Sequence, residues 1–201
     1  MASVSAGGAV SIRPALAFLA LLLGLAGCAL SPQVVELNPV VTAADTVPAA
    51  SGAALALQVV DTRGSGIIGH RGGVYSSTAT ISTAEDVTVP IRRTLADALT
   101  AAGYRVVEDD STPALRVEIA RLDYTVREEK LTRTITTVAG LNAVYSKGNR
   151  TYTNSYTVTR NTEVLTAPGA AKNAELINAT LKAAFQRLLG DSQLFGLING
   201  G

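Results

Sequence analysis

"LTRTITTVAGLNAVY" from Leu131 to Tyr145 and "RTYTNSYTVTRNTE" from Arg150 to Glu163, separated by "SKGN" at Ser146 to Asn149, decide the fold of this chain. Both runs are rich in Thr, Val and Tyr, residues that suit a pleated surface, and both alternate apolar with polar at a period of two. Ile135, Ala139, Leu141, Ala143 and Tyr145 share the odd face of the first run, and Tyr152, Tyr156 and Val158 share the even face of the second. Only a loop with an even number of residues sets odd opposite even. A two-residue turn at Lys147-Gly148 meets that condition, and it pairs Ala143 with Tyr152 and Ala139 with Tyr156 on the core side. The opposite face then pairs Thr136 with Thr159, Val138 with Thr157, Gly140 with Ser155 and Asn142 with Thr153.

Upstream of this hairpin, Ala54 to Asp61 reads as a short apolar strand, Tyr104 to Val107 as another and Ala114 to Glu128 as a longer one. In the longer strand Leu115, Val117 and Ile119 share one parity while Leu122, Tyr124 and Val126 share the other, which a bulge near Ala120 or Arg121 reconciles. Thr88 can cap a helix with Pro90 in its first turn. Ile91, Leu95, Ala98, Leu99 and Ala102 form that helix's single apolar stripe, and Gly103 stops it. A last helix, from about Ala171 to Leu189, carries Ile177, Leu181, Ala184, Phe185 and Leu188 on one side, and a short helical turn follows from Asp191. The order β-α-β-β-β-β-α, with one stripe per helix, predicts an α+β two-layer domain: a mostly antiparallel sheet with two helices packed on one face.

Composition narrows the partners. A chain of 201 residues, 47% apolar and 16% charged, suffices for one globular domain with a real core. The 17 Lys and Arg nearly balance the 16 Asp and Glu, basic runs are missing and Trp is absent, so a nucleic-acid footprint is not expected.

At the N-terminus Arg13 precedes the apolar run Ala15 to Gly27, too short to span a membrane and the right length for the h-region of a secretory signal. It ends in Leu25-Ala26-Gly27-Cys28, which resembles the lipobox of bacterial lipoproteins. Residues 1–27 are therefore expected to be a signal peptide cut between Gly27 and Cys28, with Cys28, the chain's single cysteine, carrying the lipid. Acylation leaves no thiol for a disulfide or a zinc site. Two or three acyl chains anchor permanently where one holds only marginally. Ala29 stands where an Asp would resemble an inner-membrane retention signal, so the expected address is the inner leaflet of an outer membrane, facing the periplasm. Residues 28–53, with prolines at 32, 39 and 48, read as an extended tether able to stretch roughly 80 Å. "VVELNPVV" from Val34 to Val41 is more apolar than a linker needs and suits contact with the body, which spans 54–201.

Between Asp61 and Gly73 the chain reads "DTRGSGIIGHRGG", whose Gly64, Gly66 and Gly69 match the G-x-G-x-x-G dinucleotide fingerprint. That site needs a helix starting at the glycines so that its first amides meet the pyrophosphate. Here Gly72-Gly73 and a β-branched stretch follow instead, so no nucleotide and no other cofactor is expected, and the segment reads as a loop that is flexible, contacts a partner or is ordered against the body. His70, the single histidine, lacks a nucleophile elbow beside it. Glu108-Asp109-Asp110 lacks the spaced oxygens of a calcium loop, and the sequons at Asn149 and Asn178 carry no weight in a bacterial lipoprotein. No catalytic residue and no metal ligand is assigned.

"LAGC", "VVELNPVV", "LALQVVDTR", "IRRTLADALTAAGYRVV", "LRVEIARLDYTV", "ELINATLKAAF" and "DSQLFGLI" together resemble the YajG family of bacterial lipoproteins over about Leu25 to Ile198. The resemblance implies a periplasmic, outer-membrane-anchored protein without an assigned activity, and so no catalytic residue to carry over. Two function classes follow. The favoured one is a non-enzymatic envelope lipoprotein that binds another protein or scaffolds an assembly; the other is a carrier or transport accessory for lipid or lipopolysaccharide. An open sheet face favours the first, an enclosed apolar pocket the second. The candidate partner surface is the back of the hairpin, Thr136, Val138, Asn142, Thr153, Ser155, Thr157 and Thr159: polar, nearly uncharged, and otherwise simply a solvated sheet back.

Overall fold

The computed structural model describes residues 31–41, 50, 52–74, 76–108 and 113–200, so the leader, Gly27 and Cys28 lie outside the described residues. Eight strands form one sheet: β1 (Gln33–Val35), β2 (Ala54–Asp61), β3 (Ile67–His70), β4 (Thr80–Thr83), β5 (Arg105–Val107), β6 (Ala114–Glu128), β7 (Arg133–Lys147) and β8 (Arg150–Val164). Three helices accompany them: α1 (Thr88–Ala101), α2 (Ala170–Leu189) and α3 (Ser192–Asn199).

β6 is the spine. One edge pairs along its whole length with β7, which pairs in turn with β8. The other edge is shared: Ala114 to Ile119 take β2, and Tyr124 takes β3. The ladder to β7 shifts register between Ile119 and Arg121, the bulge that the two parities of this strand required. Leu115, Val117, Ile119, Leu122 and Tyr124 are consequently all buried on one side. They join a single core with Ile91, Leu95 and Leu99 of α1, Ile177, Leu181 and Phe185 of α2, and Leu194 and Phe195 of α3. The helices therefore cover one face, as their stripes predict.

Three expectations are corrected. The sheet is mixed: β2 runs parallel to both β5 and β6, β1 parallel to β4 and β3 parallel to β6, while only β3 with β4 and the β6-β7-β8 meander are antiparallel. Short strands with helical or loop crossovers leave no periodic sign of their direction. The final turn is a full third helix, started by Asp191, whose Oδ1 accepts from the N–H groups of Gln193 and Leu194. In α1 Thr88 is the first helical residue and not the cap; the cap position is Val87, which makes no side-chain cap bond, and just before it Asp86 Oδ1 accepts from Thr88 N–H at 2.8 Å.

The hairpin register also differs. Lys147 pairs with Arg150, Tyr145 with Tyr152, Ala143 with Asn154 and Ala139 with Val158, two residues away from the expected pairing. The turn is Gly148-Asn149, with Gly148 at φ +59°, the positive angle that the first central position of a type II′ turn demands. Since the slip is even, every side chain keeps its expected face.

The apolar stretch from Val34 enters the body more deeply than expected. β1 adds an edge strand, and Val35 and Leu37 join the core. Arg71 secures it: Nη1 donates to Ser31 O at 2.8 Å, Nη2 donates to Pro168 O at 3.1 Å, and the Gln33 amide oxygen accepts from Nη2 at 2.9 Å. The sequon residue Asn178 serves the same segment, accepting from Asn38 N–H and donating to Glu36 O.

Candidate functional site

The glycine segment closes on itself. Asp61 accepts from Arg63 N–H and Nε, and Ser65 Oγ accepts from Ile67 N–H. The third glycine of the fingerprint lies inside β3, paired with Tyr124, where a Cβ would stand 1.9 Å from Tyr124 O. That glycine permits strand contact and opens no helix. His70 Nδ1 lies 2.8 Å from Ser76 O and closes the β3–β4 loop. Glu108 pairs with Arg92 at 2.5 Å, while Asp109 and Asp110 lie outside the described residues. Among the described residues no group of acidic and histidine side chains could hold a metal.

The candidate partner surface occupies the face away from the helices. Thr153, Ser155, Thr157 and Thr159 are exposed, Thr136 and Asn142 are half-buried, and Val138 is only 8% exposed between its strand neighbours Asp123 and Thr159. Val138 therefore contributes little surface. Thr136 Oγ1 donates to Asn161 Oδ1 at 2.9 Å and Ser155 Oγ to Asn142 Oδ1 at 2.8 Å, tying the strands across this face. From Thr136 to Ser146 and from Thr151 to Asn161 the face carries no charged residue. The neighbouring back of β6 carries three i,i+2 pairs or their extensions, Arg116–Glu118, Arg121–Asp123 and Arg127–Glu129, each satisfied within itself.

At the turn end of the hairpin the core face runs past the helical layer and leaves a cavity of about 390 Å³, lined by Tyr145, Lys147, Arg150, Tyr152 and Leu197 among others. The observed register creates it. Lys147 and Arg150 stand directly opposite, a like-charged cross-strand pair that disfavours the hairpin on its own. Next to them Tyr145 is 3% exposed and its hydroxyl has no hydrogen-bond partner. Burial pushes its ionisation up, so it stays a neutral donor. Its cross-strand neighbour is committed elsewhere: the hydroxyls of Tyr152 and Tyr156 donate to Asp191 Oδ2 at 2.8 and 2.6 Å, and Asn154 Nδ2 donates at 2.9 Å. Desolvation pushes Asp191 up, but the Tyr156 hydroxyl, the Leu194 amide, Asn154 and Tyr152 outweigh it and hold the carboxyl well below its usual range. Two cations and a free phenol suit a small carboxylate or phosphate. Sequence reasoning missed the pair because the turn was centred one position early; Gly148 as the first central residue was the available signal.

These features define an α+β sheet-and-helix body in which no described helix is long and apolar enough to cross a membrane. A family model described as "Uncharacterized lipoprotein" matches residues 39–199, and the chain belongs to that family, as its resemblance to the YajG lipoproteins implied. No curated protein matches the chain. Among solved structures it is similar to a protein of the DUF330 family from Xanthomonas campestris at 15% identity, covering 85% of this chain and 97% of that one, TM-score 0.52. That similarity concerns the fold alone. A lipoprotein from Neisseria meningitidis (12% identity, 68% and 97% covered, TM-score 0.34) and a hypothetical protein from Chlamydia trachomatis (9% identity, 75% and 99% covered, TM-score 0.39) are more distant.

Proposed function

We propose that this lipoprotein is anchored through acylated Cys28 in the inner leaflet of the outer membrane, and that its periplasmic body is a non-enzymatic docking or scaffold module for another envelope protein. The observation that carries the reading is the uncharged stretch on the back of β7 and β8, from Thr136 to Ser146 and from Thr151 to Asn161, bounded by an outer edge of β8 that pairs with no described strand. Depletion of charge is a mark of contact surfaces. The edge is guarded rather than closed: Arg187 Nη1 caps Thr157 O and the Asn154 side chain caps Ser155 N–H, which discourages self-pairing while leaving the face open. Lipobox, Ala29 and family membership support the anchor.

The second reading, a carrier for lipid or lipopolysaccharide, is favoured by the hairpin-end cavity alone. Its volume of about 390 Å³ is near the lower end for small-ligand sites and suits a head group rather than a whole lipid.

The test joins both claims. Mass spectrometry of the native protein is expected to find Cys28 acylated and N-terminal, and Cys28→Ser to leave an uncleaved precursor with a folded body. Thr136→Lys with Thr157→Lys, both on the back face, is expected to fold normally and to lose the proteins crosslinked to the native lipoprotein in its own membrane. Retention of every crosslinked species in a folded double variant rejects the docking face.

A further inference from the structure

The end of the sheet opposite the cavity collects three separate connections. The β6–β7 turn is there, because Glu128 pairs with Arg133, and so is the start of the β8–α2 connection, because Val164 also pairs with Arg133. The β3–β4 loop lies beside them: a Cβ on Gly72 would stand 3.2 Å from both Val126 Cβ and Glu128 Oε1. Each connection presents a bare aliphatic side chain. Val74 is 91% exposed, Leu131 85% and Leu165 76%. A single exposed aliphatic residue is ordinary, but these are the three most exposed large apolar side chains in the described structure and all are at one end.

The chain's N-terminal end arrives at the same place. Arg71, the first residue after β3, binds Ser31 O and Pro168 O and is itself buried, so Ser31 is fixed beside the β3–β4 loop and the β8–α2 connection. Only Ala29 and Leu30 separate Ser31 from Cys28. Three peptide steps reach at most about 11 Å. A lipid on Cys28 therefore enters the bilayer within that distance of the end that carries the three aliphatic residues.

We infer that this end, through Val74, Leu131 and Leu165, lies against the lipid surface that holds Cys28, an inference that rests on the anchor proposed above. The body is then held upright by contact as well as by its lipid. Insertion of three aliphatic side chains into the headgroup and acyl boundary adds to the covalent anchor without needing a net charge. The 17 basic and 16 acidic residues of the whole chain leave 16 of each once Arg13 is removed with the leader, which agrees with an apolar rather than an electrostatic contact.

The test uses the purified lipoprotein in vesicles of phosphatidylethanolamine and phosphatidylglycerol with no other protein present. Acylation consumes the chain's single native thiol, so Leu131→Cys, Val74→Cys and Gly148→Cys each accept one NBD label, which is counted by mass spectrometry. Lipids carrying doxyl quenchers in the acyl region are expected to quench the label at 131 and 74 at least about threefold more than at 148, because an interfacial apolar contact enters the headgroup and acyl boundary by only about 5–10 Å, whereas Gly148 follows the far end of β7. Adding Val74→Ser and Leu165→Ser to Leu131→Cys is expected to bring its quenching down toward that at 148. Equal quenching at 131 and 148 overturns the orientation. Quenching at 131 that the serine substitutions leave unchanged overturns the aliphatic contact. A second label on Cys28 shows an unacylated thiol and overturns the anchor together with the inference.

Discussion

The Tyr156 hydroxyl donates to Asp191 Oδ2 at 2.6 Å, while Oδ1 of the same carboxylate caps α3. One side chain thus joins the middle of β8 to the start of the last helix. Asp191→Ala is expected to cost about 2–4 kcal/mol, since it removes a helix cap and leaves Tyr156 as a buried unpaired hydroxyl. The pH dependence follows from the lowered carboxyl: the folded pKa lies below the unfolded value of about 3.9, so the contribution is complete above that value and is lost as pH falls toward the folded one. Urea denaturation at about pH 6 and about pH 3 should show a stability loss on acidification that is smaller in Asp191→Asn than in the native chain.

Arg71→Ala should release β1. Three hydrogen bonds donated by a buried guanidinium, two to backbone carbonyls and one to the Gln33 amide oxygen, are lost together, for about 2–4 kcal/mol. Limited proteolysis is the direct measurement. Cleavage within 31–41 should become fast in the variant while the β6-β7-β8 meander stays resistant; unchanged cleavage would show that Val35 and Leu37 hold the segment without Arg71.

Gly66→Ala and Gly69→Ala separate the two meanings of the glycine fingerprint. Nothing lies within 4 Å of a Cβ on Gly66, whereas on Gly69 it would strike the Tyr124 carbonyl. The first should shift stability by less than about 0.5 kcal/mol and the second should destabilise by about 2 kcal/mol or more, as thermal melts will read. Neither the native chain nor either variant is expected to bind NAD or ATP in titration calorimetry.

Tyr145→Phe should be neutral or stabilise by up to about 1 kcal/mol, because it deletes a buried hydroxyl without a partner. Phosphate or a short carboxylate should shift the melting temperature of the native chain and do so less in Tyr145→Phe and in Lys147→Ala. An equal shift in all three would remove the hairpin-end cavity as an anion site.

Long elements were legible in the sequence because each repeats its pattern enough times to be unambiguous. β6 announced even its bulge, through the parity change between Ile119 and Leu122, and β7 and β8 announced their faces. β1, β3 and β4 have three or four residues each and no period to read; they are strands because Tyr124, Arg71 and the core give them neighbours. Buried Asn173 and Thr180 were invisible for a related reason. They sit on the apolar face of α2 only because Tyr124 and Thr137 meet them with hydroxyls at 2.7 and 2.6 Å. The cavity depended on a register choice that parity alone leaves open in steps of two.

The length of the hairpin sets a height. β7 runs 15 residues from Arg133, beside the Arg71 and Ser31 end, to Lys147 at the cavity, and at about 3.4 Å per residue that is close to 50 Å of stiff, hydrogen-bonded ribbon. A partner that meets the Lys147 end works at a fixed altitude above the Ser31 end, measured in strand residues and not in linker length. Inserting two residues into β7 and two into β8 at matched positions would raise that altitude by about 7 Å while every side chain beyond the insertion kept its face.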